Sequence, residues 1–169
     1  MADGDSFAVF CAQAYPRLVA ALAHQTGDAW LAEELAQEAL IRAANRWKRV
    51  GRLASPVGWT FAVGANLGRS HFRRRRAEKR SLARLAAERA GPIADAADAV
   101  AVRTALLSLP RKQREAVVLR YYLQLTAAEA AEVLGSTPGA VRGLTHRAVA
   151  ALRLRLALLP DSEEAKDVS

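Results

Sequence analysis

Cysteine, histidine and aromatic side chains are scarce in this 169-residue chain: one Cys, three His, and 6% Phe, Trp and Tyr together. The single thiol, Cys11, excludes an internal disulfide and any zinc site built on several cysteines, and it fits a reducing cytoplasm as the expected location. Proline and glycine number only six and ten, while Ala, Leu and Arg dominate, a balance that favours helices over a large sandwich or barrel. No apolar run approaches the ~20 residues of a membrane span. The opening residues, with Asp3 and Asp5, do not read as a signal peptide, so no membrane insertion is expected. The chain also lacks a phosphate loop, a Gly-x-Ser-x-Gly segment and a His-Glu-x-x-His helix. No catalytic residue, cofactor or metal site is expected, and an enzyme is disfavoured.

What is abundant is apolar residues, at 51%, and positive charge, at a net +8. The first is enough to build cores, and the second invites a polyanion partner. The excess is concentrated. Residues 1–68 are balanced at six basic and six acidic groups, whereas 69–89 hold nine basic against two acidic and 103–159 nine against three. A short acidic, Ala-rich interval separates these two blocks, and the tail 160–169 is acidic. Either block alone could be a solvated helix face; two on one chain suggest two contacts with one long polyanion.

Apolar spacing predicts an all-α chain in two small helical domains. A first helix spans about 7–23 and stops near Thr26-Gly27-Asp28; a second spans about 30–48. On the second, Leu31, Ala32, Leu35, Ala36, Ala39, Leu40, Ala43 and Trp47 share one half of the wheel. The other half carries Glu33, Glu34, Gln37 and Glu38, with Ile41 as an apolar plug. Such a face is either plain solvated helix or a docking surface. Ser55-Pro56 starts a third helix, to about Arg76, that combines Trp59, Phe61 and Phe72 with Arg73, Arg74, Arg75 and Arg76. Aromatics stack exposed bases and arginines track phosphates, a pairing suited to opened DNA. Trp59 and Phe61 read equally well as core. Gly58, Gly64 and Gly68 on the same helix imply a close approach to its backbone.

After a break at Ala90-Gly91-Pro92, helices are predicted through Leu106 to Leu109, then over about 112–123, 127–134 and 138–158. Thr126 and Glu129 have the spacing of a capping box. Ala131, Gly135, Val141 and Leu144 fall at the separations of a helix-turn-helix: a small residue at the crossing, glycine at the turn, apolar anchors on the second helix. Ser136 or Thr137 caps that second helix. Its polar side is basic, and Arg142, His146 and Arg147 are placed for bases or phosphates in a major groove.

Four segments together resemble the extracytoplasmic-function type of bacterial RNA polymerase sigma factor. They are Ala32-Glu33-Glu34-Leu35-Ala36-Gln37-Glu38-Ala39; Trp59 through Asn66 to Arg73–Arg76; Leu109-Pro110 with Arg114 and Leu119-Arg120-Tyr121; and Ala131 through Val141 to His146-Arg147-Ala148. The Thr145–Ala148 form resembles an actinobacterial subgroup. The resemblance implies sigma region 2 over 1–85, a linker over 86–101 and sigma region 4 over 102–159; the acidic composition of 160–169 predicts a disordered tail. It implies core RNA polymerase as a partner, docked on Glu34, Gln37, Glu38 and Ile41. Promoter DNA is implied as the second partner, both duplex and opened non-template strand. Trp59, Asn66, Arg69 and Arg73–Arg76 would serve the minus-ten element, and Ser136, Thr137, Arg142, His146 and Arg147 the minus-thirty-five element. An anti-sigma factor is a candidate third partner. Departures from the pattern are Glu34 for Asp, Ala62 and Ala65 at often basic positions, Ser70 for Asp, and Ala140 and Gly143 for Thr and Ser. The rival reading is a stand-alone helix-turn-helix regulator that binds duplex unaided.

Overall fold

The computed structural model describes residues 2–81 and 97–157, which form eight α-helices, one π-helical turn and, among the described residues, no strand. The N-terminal half is α1 (Ala2–Thr26), α2 (Ala29–Ala44), the short α3 (Trp47–Val50) and α4 (Pro56–Ser81). The C-terminal half is α5 (Ala97–Leu107), α6 (Arg111–Val117), α7 (Ala127–Leu134) and α8 (Pro138–Ala157).

Local signals account for most of the boundaries. Asp28 caps α2 by accepting from the Leu31 amide at 3.0 Å, and Ser55 caps α4 by accepting from the Gly58 amide at 3.1 Å. Seven of the eight residues assigned to the inner half of the second helix, Leu31 through Ala43, are buried. The eighth, Trp47, corrects that reading. The helix ends at Ala44, and Trp47 opens α3 to pack edge-on against Phe7 (5.1 Å between ring centroids) and tilted on Phe10 (4.8 Å).

Three further expectations change. By length and composition α1 is apolar enough from Ser6 to Thr26 to cross a membrane, contrary to the sequence reading. Here its Ala14, Leu18, Ala21 and Leu22 stripe lies in the protein core. The interval 86–101 is helical from Ala97 onward. The Ala90-Gly91-Pro92 break and the acidic tail lie outside the described residues. The single helix expected over 112–123 is α-helical only to Val117; Val118–Tyr122 is a π-turn closed by the Leu123 amide on the Val118 carbonyl at 3.1 Å.

The two halves share one core. Leu18 and Leu22 of α1 and Phe61 of α4 cluster with Val118, Leu119 and Leu123 around the π-turn, and with Leu125, Ala131 and Val141. Arg17 donates to the Leu123 carbonyl across the same seam. A smaller cluster of Leu106, Leu109, Val117 and Ala148 belongs to the C-terminal half alone. The α4 glycines are the close approaches the sequence implied. A Cβ at Gly58 would meet Val133 Cγ2 at 2.8 Å and Leu125 Cδ1 at 2.9 Å, and one at Gly64 would meet Leu22 Cδ1 at 2.9 Å.

Candidate nucleic-acid interface

Residue chemistry fixes the helix-turn-helix closely. Thr126 Oγ1 accepts from the Glu129 amide at 3.2 Å, and the Glu129 carboxylate accepts from the Thr126 amide at 2.7 Å, so both sides of the capping box are made. Gly135 takes the turn in the left-handed region, at φ +58°. Thr137 caps α8 by accepting from the Ala140 amide at 3.2 Å. Ala131, Val141 and Ala148 are buried at the crossing and along the inner face of α8, while Ser136, Thr137, Arg142, His146 and Arg147 are exposed. Arg142, His146 and Arg147 therefore stand on α8 with their side chains in solvent, and Ser136 and Thr137 lie exposed just before it.

The hydrogen bonds from Thr126 hold the Glu129 carboxyl below its ordinary value of 4.5. A depressed acid stabilises the fold fully above that ordinary value, and the contribution is lost as pH falls through the lower folded value. Thr126→Ala is expected to cost about 1 kcal/mol. It should also flatten the acid limb of the melting temperature against pH, measured by circular dichroism.

On α4 the two readings of the aromatics separate. Phe61 is core at 1% exposure, Trp59 is half-buried, and Phe72 is exposed. Asn66 and Arg73–Arg76 are exposed. Arg69 is not free: it pairs at 3.0 Å with Glu115 of α6, a carboxylate only 7% exposed that also has Arg111 at 3.9 Å. Asn66, Arg69, Arg73, Arg75 and Arg76 line one cleft of about 1150 Å³, together with Arg111 and Arg114 of α6. A smaller adjoining cavity of about 240 Å³ brings Asn66 and Arg69 beside Ser136 of the helix-turn-helix. Arg74 lines neither, and Thr137 at the cap of α8 and Arg142, His146 and Arg147 on it stand apart. Sequence reasoning gave Arg111 and Arg114 no binding role. The signals were their membership of the second basic block and, for Arg114, its place in the segment that begins at Leu109-Pro110; nothing local places α6 against α4.

The acidic face of α2 has the exposure a docking surface needs. Glu34, Gln37 and Ile41 are exposed, and Ile41 keeps 57% of its surface in solvent. Glu38 accepts from Arg42 at 2.8 Å across one helical turn.

Two families divide this architecture between them. The chain matches sigma-70 region 2 over residues 11–78 and sigma-70 region 4 over residues 99–152. It is 33% identical over 129 residues to an RNA polymerase sigma-E factor of Streptomyces coelicolor, covering 74% of this chain and 71% of that protein. It is 32% identical over 139 residues to the ECF RNA polymerase sigma factor SigL of Mycobacterium tuberculosis, covering 78% and 77%. Among solved structures, the sigma factor RpoE of Bartonella quintana, crystallised with the anti-sigma factor NepR, shares the fold. The TM-score is 0.77 at 22% identity, over 91% of this chain and 98% of that one. A chain with both sigma regions in this order is a transcription initiation factor. It belongs to the extracytoplasmic-function (ECF) sigma factors, alternative sigma factors that join core RNA polymerase and direct it to promoter DNA.

Proposed function

We propose that this sigma factor divides its work between the two halves, residues 1–85 and 102–159. In the first, Glu34, Gln37, Glu38 and Ile41 grip core polymerase, while Trp59, Asn66, Arg69 and Arg73–Arg76 take the opened minus-ten strand. In the second, Ser136, Thr137, Arg142, His146 and Arg147 read the minus-thirty-five duplex. The observation that carries this reading is the coexistence, on one chain, of an exposed acidic face with an apolar plug, an arginine-lined helix and a separate solvent-facing recognition helix. A stand-alone regulator has no use for the first of these. The chain carries out no chemistry of its own and works in the cytoplasm, where polymerase and promoter are. An anti-sigma factor would act by covering the same surfaces.

The two elements lie about 25 base pairs apart by their names, about 85 Å along B-DNA at ~3.4 Å per pair. A compact chain of this length has a radius of gyration of about 15 Å. Halves sharing one core cannot reach both elements, so they part when polymerase and promoter are engaged. The 15 residues between α4 and α5 have a maximal reach of about 50 Å.

The deciding experiment is in vitro transcription with purified bacterial core polymerase on genomic fragments, with start-site mapping. Start sites sharing one pair of upstream motifs are expected. Occupancy of targets by the free chain, with no directed initiation, would overturn the reading. Arg142→Ala is expected to weaken binding to the upstream duplex by about 10- to 100-fold, the size of a lost bidentate base contact, in a titration of labelled promoter DNA.

A further inference from the structure

The cleft of about 1150 Å³ at the seam is lined by six guanidinium groups, Arg69, Arg73, Arg75 and Arg76 from α4 and Arg111 and Arg114 from α6, and by no carboxylate among the described residues. Glu115, beside it, answers Arg69 at 3.0 Å and Arg111 at 3.9 Å, so one negative charge is shared by two of the six. Among the described residues, Arg73 bonds only the Ser70 hydroxyl, at 3.1 Å. Arg75 and Arg76 carry no ion pair among the described residues. Arg114 donates to the Leu107 carbonyl at 2.9 Å, but its Nε is buried with no acceptor. Burial also pushes the Arg114 guanidinium below its ordinary range. Several like charges around one concavity are unfavourable, and an anion relieves them.

We propose that this cleft binds a soluble anion carrying three or more linked phosphates, and that the bound anion holds the two halves together. Guanidinium forks match phosphate oxygens two at a time, and six forks around one space suit a chain of phosphates better than a single one. Because α4 and α6 belong to different halves, the site exists only while the halves are packed. Occupancy therefore stabilises the closed chain by mass action and opposes the parting that promoter binding requires. The site uses Arg111 and Arg114, which the promoter-reading assignment leaves idle.

The test is calorimetric titration of the full chain at about 150 mM salt with sodium tripolyphosphate, orthophosphate and a short single-stranded oligonucleotide. Saturable one-to-one binding of tripolyphosphate is expected, about tenfold or more tighter than orthophosphate. Arg111→Gln and the pair Arg75→Gln with Arg76→Gln should each weaken it about tenfold. All three positions are exposed, so these variants are expected to fold, with circular dichroism as the check. Tripolyphosphate should also hold the radius of gyration, by small-angle scattering, at its closed value in mild denaturant. Three results overturn the proposal. One is absence of saturable tripolyphosphate binding. A second is loss in the α4 pair with none in Arg111→Gln, which would make α4 a general polyanion surface. The third is dependence on Arg111 seen for the oligonucleotide but not for tripolyphosphate, which would make the cleft a nucleic-acid site.

Discussion

Glu34→Lys combined with Glu38→Lys is expected to lower the affinity of the chain for core RNA polymerase by about 100-fold, or about 2.8 kcal/mol. Glu34 is exposed and Glu38 half-exposed at the margin of the face that buries Leu31, Leu35 and Leu40, and neither carboxylate is part of the core. The one ion pair it removes among the described residues is Glu38 to Arg42, a half-exposed pair within a single helix, worth only a few tenths of a kcal/mol. The fold is therefore expected to survive. At a docked face the same change replaces two attractions by two repulsions beside the apolar anchor Ile41, where water is excluded and charge is costly. Capture of polymerase by tagged variants measures the loss, while binding of the variant to upstream duplex shows whether α7 and α8 are intact. Full retention of capture would remove α2 from the interface.

The parts of this molecule that could be read from sequence are those fixed by neighbours a few residues away. Thr126 and Glu129 answer each other at N-cap and N3, Gly135 must supply the positive φ, and Val141 must follow it by six residues to meet the crossing at Ala131. These spacings are geometric requirements, so the helix-turn-helix was legible before its structure. The inner face of α2 was legible for the same reason. Trp47 was not, because a wheel extended through it fits as well as one that stops, and contact with Phe7 and Phe10 decides the matter. The π-turn is hidden likewise: Val118, Leu119 and Tyr122 continue the helical pattern, and packing of Val118 and Leu119 against the N-terminal half accompanies the altered hydrogen bonds. The seam itself had no sequence signal. Leu18 and Leu119 are about a hundred residues apart, and nothing near either marks the other. For Arg69 the sequence supplied the charge and only the fold supplied Glu115.

That ion pair makes the packing of the halves open to experiment. Glu115→Ala is expected to raise the fraction of free chain in an extended form by about 5- to 30-fold, the equivalent of one to two kcal/mol. Glu115 is nearly buried, so its bond to Arg69 is charge-assisted and weakly screened. Arg69 keeps 37% of its side chain in solvent and can be rehydrated once freed, which holds the cost below that of stranding a fully buried charge. Loss of the carboxylate also leaves the arginines of α4 and α6 facing one another with no negative charge between them among the described residues, a repulsion that acts across the seam and not within either half. Helix content should remain, since alanine is the strongest helix former and the α6 core residues Ala116 and Val117 are unchanged. The recognition side chains of α8 are already exposed in the closed chain, so duplex affinity of the isolated protein should change little. The expected signature is a larger radius of gyration by small-angle scattering and faster hydrogen exchange at the Leu123 and Leu125 amides beside the seam. Glu115→Gln, which keeps the shape and one hydrogen bond, should fall between wild type and alanine. If alanine left the dimensions of the free chain unchanged, the Arg69–Glu115 pair would not hold the halves, and polymerase would have to separate the apolar contacts of Leu18, Phe61 and Leu119 and the Arg17 to Leu123 hydrogen bond instead.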